Sequence, residues 1–122
     1  MDNGNDILIV TTNDIPVYEV VEVYGEVFGL IVRSRNVFSN IGASFRTIFG
    51  GEVRGHTKLL ADTRMQAMER LRAEAKAKGA NAILMMRFDS GEIGQQMSEV
   101  VAYGTAVRMQ PRTRHSASHS GM

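Results

Sequence analysis

The stretch Lys78-Gly79-Ala80-Asn81-Ala82-Ile83-Leu84-Met85-Met86 decides the fold of this chain. A glycine directly after a helical pattern, with lysines in the last turn, is typical of a left-handed C-terminal cap. The apolar run behind it places hydrophobic side chains on both faces of a strand, because successive strand residues point to opposite sides. The sequence therefore predicts a helix that ends at Gly79 and leads directly into a strand that is buried on both faces.

Two helices are predicted upstream of that strand. The first covers residues 37–49, begins after a possible N-cap at Asn36 and ends at Gly50-Gly51. The second covers residues 57–78. Its apolar positions fall on one stripe at helical spacing: Leu60, Ala61, Met65, Ala67, Met68, Leu71 and Ala75.

Four segments have the residue pattern of strands: residues 7–12, 17–33, 81–89 and 97–109. The second is too long for one straight strand in a small domain, so we expect a bend or bulge at Gly25 or Gly29. On its presumed core face lie Val21, Val23, Gly25, Val27, Gly29 and Ile31. Residues 90–96 are polar and are predicted to form a loop longer than a tight hairpin turn.

These elements predict an α+β fold, an antiparallel sheet with two helices packed on one face, in a single domain of residues 1–110. The last strand carries apolar residues on both faces: Val101, Tyr103, Val107 and Met109 on one, Val100, Ala102 and Ala106 on the other. Two helices cover only one side of such a sheet, and an uncovered apolar face normally marks an interface. We therefore expect the partner to be a second copy of the chain, in a homo-oligomer.

The composition excludes several classes of function. The 122 residues are 43% hydrophobic and 22% charged, without an apolar run long enough to span a membrane. The net charge is +1, and residues 111–122 contribute two arginines and no acid, so the remainder carries −1. A nearly neutral folded part predicts no nucleic-acid partner, and no membrane partner is expected. The absence of cysteine and the polar N-terminal residues favour a cytoplasmic location.

The C-terminal residues 111–122 are rich in serine and lack apolar periodicity, which predicts a disordered tail. His115 and His119 lie four residues apart, but a disordered segment does not hold that spacing on one face. A metal role for this pair is therefore disfavoured.

The combined motifs resemble the YbjQ-like family of uncharacterised bacterial proteins over about residues 7–109. The resemblance is carried by Phe49-Gly50-Gly51-Glu52, by Arg64, Ala67 and Leu71 in the long helix, by Lys78-Gly79-Ala80-Asn81-Ala82, and by Gly104-Thr105-Ala106-Val107. It implies a dodecin-like, ring-forming subunit assembled as a homopentamer, and no established activity. Such domains have been labelled heavy-metal-binding. The family generally has a tyrosine at the position of His56, so this chain does not share any role that the tyrosine ring has in the family.

The candidate metal ligands are Glu52 and His56, which lie four residues apart near the start of the second helix. One such pair is too small for a closed zinc site, although a ring could bring several copies together. The preferred interpretation is a solvent-facing loop, because a single Glu/His pair often occurs by chance. The six internal methionines raise the possibility of a copper(I) site, but adaptable core and interface packing explains them better: Met65, Met68, Met85, Met86, Met97 and Met109.

The candidate anion ligands are Arg46, near the end of the first helix, and Arg64, within the apolar stripe of the second. The preferred interpretation of Arg64 is a packed stem with a solvated head, or a salt bridge between subunits, and the anion site is the alternative. No nucleophile, base and orienting group can be assembled, so the interpretation leans away from an enzyme. Two functions stay open: a homo-oligomeric structural or binding protein without an evident cofactor, or a metal- or anion-binding protein with sites at subunit junctions.

Overall fold

The computed structural model describes residues 7–34, 54–94 and 97–113, and these ranges contain four strands and a helix. The strands are β1 (Leu8–Ile9), β2 (Tyr18–Ser34), β3 (Ala82–Ile93) and β4 (Met97–Pro111), and the helix is α1 (Arg54–Ala77). The strands form one sheet in the order β1-β3-β4-β2, which places β1 and β2 at its edges. Within the described ranges, the structure has no helix that combines the length and the hydrophobicity needed to cross a membrane.

The predicted antiparallel sheet with two helices is wrong. β1 pairs with β3 in parallel, with Leu8 opposite Ala82 and Ile9 opposite Ile83, so the sheet is mixed. The apolar pattern indicates which residues share a face but not the direction of a neighbouring strand. Since β2 and α1 intervene between β1 and β3, the chain is long enough to return in parallel. The described residues contain one helix, and the predicted helix of residues 37–49 lies outside them.

The connection between β3 and β4 also differs from the prediction. β3 continues to Ile93 and β4 begins at Met97, so three residues join them and the two strands must be antiparallel. Gly94 has a φ of 65°, the left-handed conformation that a short turn requires. The polar residues 90–93, predicted as loop, therefore belong to the strand, because ladder bonds tolerate polar side chains that face solvent.

The predicted helix cap at Gly79 is confirmed. Gly79 has a φ of 93°, its amide donates to the carbonyl of Lys76 (3.0 Å), and the amide of Ala80 donates to the carbonyl of Ala75 (3.1 Å). These two bonds form a Schellman motif, which satisfies carbonyls at the helix end. The side chain of Asn81 then bonds both the amide and the carbonyl of Met109, at 2.8 and 2.9 Å. The stretch thus ends α1 and fixes the start of β3 against β4.

The chain divides into two compact units, each of which takes part of β2, α1, β3 and β4. Among the described residues, the first comprises 7–27, 72–87 and 103–113. Its apolar cluster contains Ala82, Leu84, Val107 and Met109, against which Val10, Ile15 and Tyr18 pack. Ala106 and Val107 are consecutive and both buried, so both faces of β4 are covered here.

The second unit comprises the described residues 28–34, 54–71, 88–94 and 97–102. Here β2 approaches α1 at Gly29, where a Cβ atom would collide with the carbonyl oxygen of Ala67 and lie 2.5 Å from the amide nitrogen of Leu71. Ile31 is buried on the same face, whereas the alternate residues Leu30 and Val32 are exposed. One face of β2 is therefore covered in this unit and the other is not.

The buried stripe of α1 is rotated from the predicted one. Its fully buried residues, spaced by four, are Thr63, Ala67, Leu71 and Ala75. The predicted members Leu60, Ala61 and Met65 are exposed instead. In the second unit β2 comes close to the backbone of α1 at Gly29, which favours a small side chain such as that of Ala67 at the contact. A prediction based on the number and spacing of apolar residues does not take side-chain size into account.

β2 runs as one strand of 17 residues, and Gly25 within it has a φ of 99°. The predicted core face is correct after this glycine, where Val27 and Ile31 are buried. It is wrong before it, where Val21 and Val23 are 48% and 64% exposed. Residues 20–23 are all exposed, so neither face of the strand is covered before Gly25.

The predicted tail boundary falls at the end of β4. Pro111 is the last residue of the strand, and the amide of Arg112 still donates to the carbonyl of Val17 at 2.8 Å. Residues 114–122, the greater part of the predicted disordered tail, lie outside the described residues.

Candidate functional site

Of the four predicted site residues, the structure places one with its side chain. Arg46 and Glu52 lie outside the described residues. His56 falls in the first turn of α1, which begins at Arg54, but its side chain is also outside the described part. The proximity of the Glu52 and His56 side chains therefore stays a prediction, and Arg64 is the one of the four whose side-chain contacts the structure describes.

Arg64 lies on the exposed side of α1, and its Cζ atom is 5.4 Å from the centroid of the Phe88 ring. A guanidinium at this distance from an aromatic ring makes a cation–π contact. The contact holds the charged head on the surface of the second unit. The Phe88 ring is therefore the contact that the structure shows for the Arg64 guanidinium.

A polar cluster that the sequence did not predict joins β2 to α1 in the second unit. Arg33 donates from Nη2 to Gln66 at 2.9 Å and from Nε to the hydroxyl of Thr63 at 3.4 Å. The Thr63 hydroxyl donates to the carbonyl of Leu59 at 2.8 Å, and Arg70 donates to the carbonyl of Leu30 at 2.7 Å. These bonds fasten the helix to the strand. The sequence contains one indication of this cluster: Thr63 lies four residues before Ala67, and so on the same buried stripe of the helix.

A second unpredicted cluster lies at the C-terminal end of α1 in the first unit. Arg108 donates from Nη2 to the carbonyl of Gly79 at 3.0 Å and from Nε to the hydroxyl of Tyr24 at 3.4 Å. Tyr24 in turn donates to the carboxylate of Glu22 at 3.2 Å. A cation at a helix C-terminus is favourable, because the last carbonyls carry partial negative charge. This cluster therefore stabilises the helix end.

The side chains that commonly bind metal ions do not cluster in the described residues. These residues contain no group of three or more histidine, aspartate, glutamate or cysteine side chains close enough to share an ion. Among them, every buried side-chain nitrogen or oxygen also has a hydrogen-bond partner. Soft metals prefer sulfur ligands, and the chain has no cysteine. Met86 and Met109 are buried while Met65, Met85 and Met97 are exposed. The described histidine, aspartate and glutamate side chains of one subunit therefore form no ready-made site for a metal ion.

A protein-family model described as "Putative heavy-metal-binding" matches residues 7–110. A UPF0145 protein of Acidothermus cellulolyticus is 60% identical over 102 residues, 84% of this chain and 94% of that protein. A UPF0145 protein of Lactococcus lactis subsp. cremoris is 57% identical over 106 residues, 87% of this chain and 97% of that protein. A third, of Methanocella arvoryzae, is 50% identical over 112 residues, with 92% and 93% covered.

A crystal structure of a protein of unknown function from Pediococcus pentosaceus, assigned to the DUF74 family, is similar with a TM-score of 0.49 and 14% identity. The match covers 85% of this chain and 98% of that one. The family model and the curated relatives span nearly all the described residues. The chain therefore belongs to the YbjQ-like UPF0145 family.

Proposed function

We propose that the chain is the subunit of a closed homo-oligomer with a structural or binding role. The observation that supports this is the outer face of β2 in the second unit. Phe28, Leu30 and Val32 share that face at alternate positions and are all more than 40% exposed. Contiguous exposed apolar side chains are typical of surfaces that another protein covers.

A second copy of the chain is the occupant that these features favour. β2 is an edge strand 17 residues long, so it presents backbone as well as apolar side chains to a neighbour. The folded part has nearly no net charge, so copies do not repel one another strongly. Closed cyclic symmetry is the usual arrangement of soluble homo-oligomers, and five subunits is the number that the family resemblance implies.

Light scattering coupled to size exclusion tests this proposal. We expect one species at a multiple of the 13.5 kDa subunit mass, five by the family resemblance, which persists on dilution to nanomolar concentrations. Leu30→Glu should release folded subunits, because it places a carboxylate on the apolar face. Ala73→Glu is the matched control, since it adds the same charge at an exposed helix position.

The outcomes separate the parts of the proposal. Wild-type protein at 13.5 kDa would refute the assembly. An oligomer that Leu30→Glu leaves intact would show that the face of Leu30 is not the interface. A tetramer or hexamer would remove only the number five.

The description of the family model supports a second candidate, metal or anion binding at subunit junctions. One pair of ligands, Glu52 and His56, is too small for a closed zinc site, so this proposal brings ligands together from several copies. Glu52 and His56 would supply an oxygen and an imidazole from each copy. Arg46 and Arg64 would serve an anion, and Arg64 stands exposed above Phe88.

Elemental analysis of protein purified without an affinity tag tests the metal branch. A stoichiometric metal should be present, disappear in His56→Ala and persist in the matched variant His115→Ala. Metal-free wild-type protein would refute this branch. For the anion branch, phosphate should raise the melting temperature of wild type and leave that of Arg64→Ala unchanged. An equal response in both proteins would refute a role for Arg64.

A further inference from the structure

Two arginines of the second unit reach across the seam between β2 and α1 in opposite directions. Arg33 extends from β2 to the helix, where Nη2 donates to Gln66 at 2.9 Å and Nε donates to Thr63 at 3.4 Å. Arg70 extends from the helix to β2, where Nη1 donates to the carbonyl of Leu30 at 2.7 Å. The side chains of Arg33, Gln66 and Arg70, here called the seam cluster, therefore lie together on one side of the helix.

The two guanidinium groups of the seam cluster are close enough to share one small ligand. Gln66 and Arg70 are four residues apart, so they are neighbours on the helix surface, with about 6 Å between their Cβ atoms. Leu30, which accepts from Arg70, lies three residues from Arg33, or about 10 Å along the strand. The guanidinium groups are thus separated by roughly 6–10 Å. A phosphate group that accepts from a guanidinium on each side spans about 8 Å.

The hydrogen bonds that hold the two arginines do not neutralise their charge. The acceptors are a hydroxyl, a side-chain amide and a backbone carbonyl, all of which are neutral. Asp62 of the same helix makes an ion pair with Lys58 at 3.7 Å. Glu69, three residues after Gln66, flanks the seam cluster, but one carboxylate is outweighed by two guanidinium groups. Like charges side by side are unfavourable, so an anion between the arginines would be stabilising.

The same hydrogen bonds hold the remaining donors in place before a ligand arrives. A guanidinium has five N–H donors in a planar fork, and the bonds above use two in Arg33 and one in Arg70. Since the amide oxygen of Gln66 accepts from Arg33, its NH2 group adds two further donors. Thr63, fully buried and bonded to the carbonyl of Leu59, fixes Arg33. Preorganised donors lose little conformational entropy on binding.

We infer that the seam cluster is a binding site for a phosphate group, free or carried by a small molecule. Arg33 and Arg70 donate to its oxygens from two sides, and the Gln66 amide adds a neutral donor. A phosphate group carries about −1.5 to −2 charges, which match two guanidinium groups. The site lies within one subunit and uses none of the residues proposed for the subunit junctions, so it does not depend on the assembly.

Isothermal titration calorimetry of the full chain with inorganic phosphate, at constant ionic strength, tests this inference. Wild type should bind one phosphate per subunit. Arg70→Gln should weaken binding at least about tenfold, because charge-assisted hydrogen bonds are lost. Arg64→Gln is the matched control: it removes the same charge from an exposed position of the same helix and should bind phosphate as wild type does. Glu69→Gln should tighten binding about two- to fivefold, because it removes a repelling carboxylate.

Four outcomes would overturn the inference. These are wild type without saturable phosphate binding, unchanged binding by Arg70→Gln, an equal loss in Arg70→Gln and Arg64→Gln, and a loss in Arg64→Gln alone. The third would mean that phosphate responds to net charge, and the fourth that it binds at Arg64 instead.

Two further anions define the ligand. Acetate should bind at least about tenfold more weakly than phosphate, because it carries one charge and two oxygens. Equal affinities would overturn the assignment to a phosphate group. Phenyl phosphate separates the two sources of that group. Binding as tight as that of inorganic phosphate would support a phosphate ester as the ligand, and exclusion of phenyl phosphate would support free phosphate.

Arg33→Lys provides a second measurement. Lysine keeps the charge but lacks the fork that bonds Thr63 and Gln66 together, so phosphate should bind more weakly than to wild type and more tightly than to Arg33→Gln. Urea unfolding with and without phosphate separates binding from a purely structural role. If both Arg33 variants were less stable but bound phosphate with unchanged affinity, Arg33 would only fasten β2 to α1, and the two-arginine site would be refuted.

Discussion

Two pairs of neighbouring strand residues show how differently the protein covers its apolar faces. Ala106 and Val107 of β4 are consecutive, point to opposite faces and are both buried. Leu30 and Ile31 of β2 have the same relation, but Leu30 is 42% exposed and Ile31 is 5% exposed. Each pair is apolar on both sides. The difference lies in what covers the second face.

In the first unit, the same chain supplies the residues that cover the second face of the strand. Val10, Ile15 and Tyr18 pack on the cluster that includes Val107. In the second unit, β2 meets α1 on the face of Gly29, while the face of Leu30 stays exposed to solvent. An apolar strand face thus indicates that a cover is needed, but its sequence does not indicate whether the same chain supplies it.

The largest expected effect comes from the covered face of β2. Gly29→Ala should cost more than about 3 kcal/mol of unfolding free energy, because the new Cβ overlaps the backbone of α1 at Ala67 and Leu71. Gly91→Ala is the matched control, since its Cβ would first meet the Glu99 carboxylate at 3.6 Å. Urea unfolding measures both. Similar stabilities for the two variants would contradict the close approach of β2 to α1.

A matched pair of leucines tests the comparison itself. Leu84→Ala should cost about 2–3 kcal/mol, because Leu84 is buried in the cluster of the first unit. Leu30→Ala should cost less than about 1 kcal/mol in a free subunit, since much of its side chain already contacts water. Unfolding followed at several protein concentrations separates the cases. A large, concentration-dependent cost for Leu30→Ala would mean that another copy covers this face.

A smaller effect is expected at Arg64. Arg64→Ala should lower the unfolding free energy by about 0.5–1 kcal/mol, the size of an exposed cation–π contact with Phe88. A double-mutant cycle with Phe88→Leu measures the coupling. If Arg64→Ala instead costs about 3 kcal/mol or dissociates the assembly, Arg64 pairs with a carboxylate buried between subunits. Arg64→Lys should then restore only part of the loss, because lysine lacks the planar fork.

The smallest effect is expected from the C-terminal residues. Deletion of residues 114–122 should change the unfolding free energy by less than about 0.5 kcal/mol and leave the oligomer size unchanged, because this serine-rich segment has no apolar stripe. The deletion retains β4 and the bond from Arg112 to Val17. Calorimetry and light scattering on the shortened chain measure the two quantities. A larger change in the unfolding free energy, or any change in the oligomer size, would contradict the prediction.

The candidate site was less predictable than the fold. Arg64 was chosen for its place in an apolar stripe, but the true stripe is centred on Ala67 and Leu71, and Arg64 lies outside it. The hydrogen bonds that Arg33 and Arg108 donate join residues at least 29 positions apart. Periodicity within one element carries no information about such contacts.

Local chemistry in the sequence determined where α1 ends and what begins after it. Gly79 is the residue that tolerates the left-handed cap, and the apolar run from Ala82 to Leu84 requires burial on both faces. Tertiary structure alone decided the parallel pairing of β1 with β3, the rotation of α1 and which strand face stays open. These depend on which distant surfaces come within contact distance, and the free energy of packing two surfaces is not a property of either segment by itself.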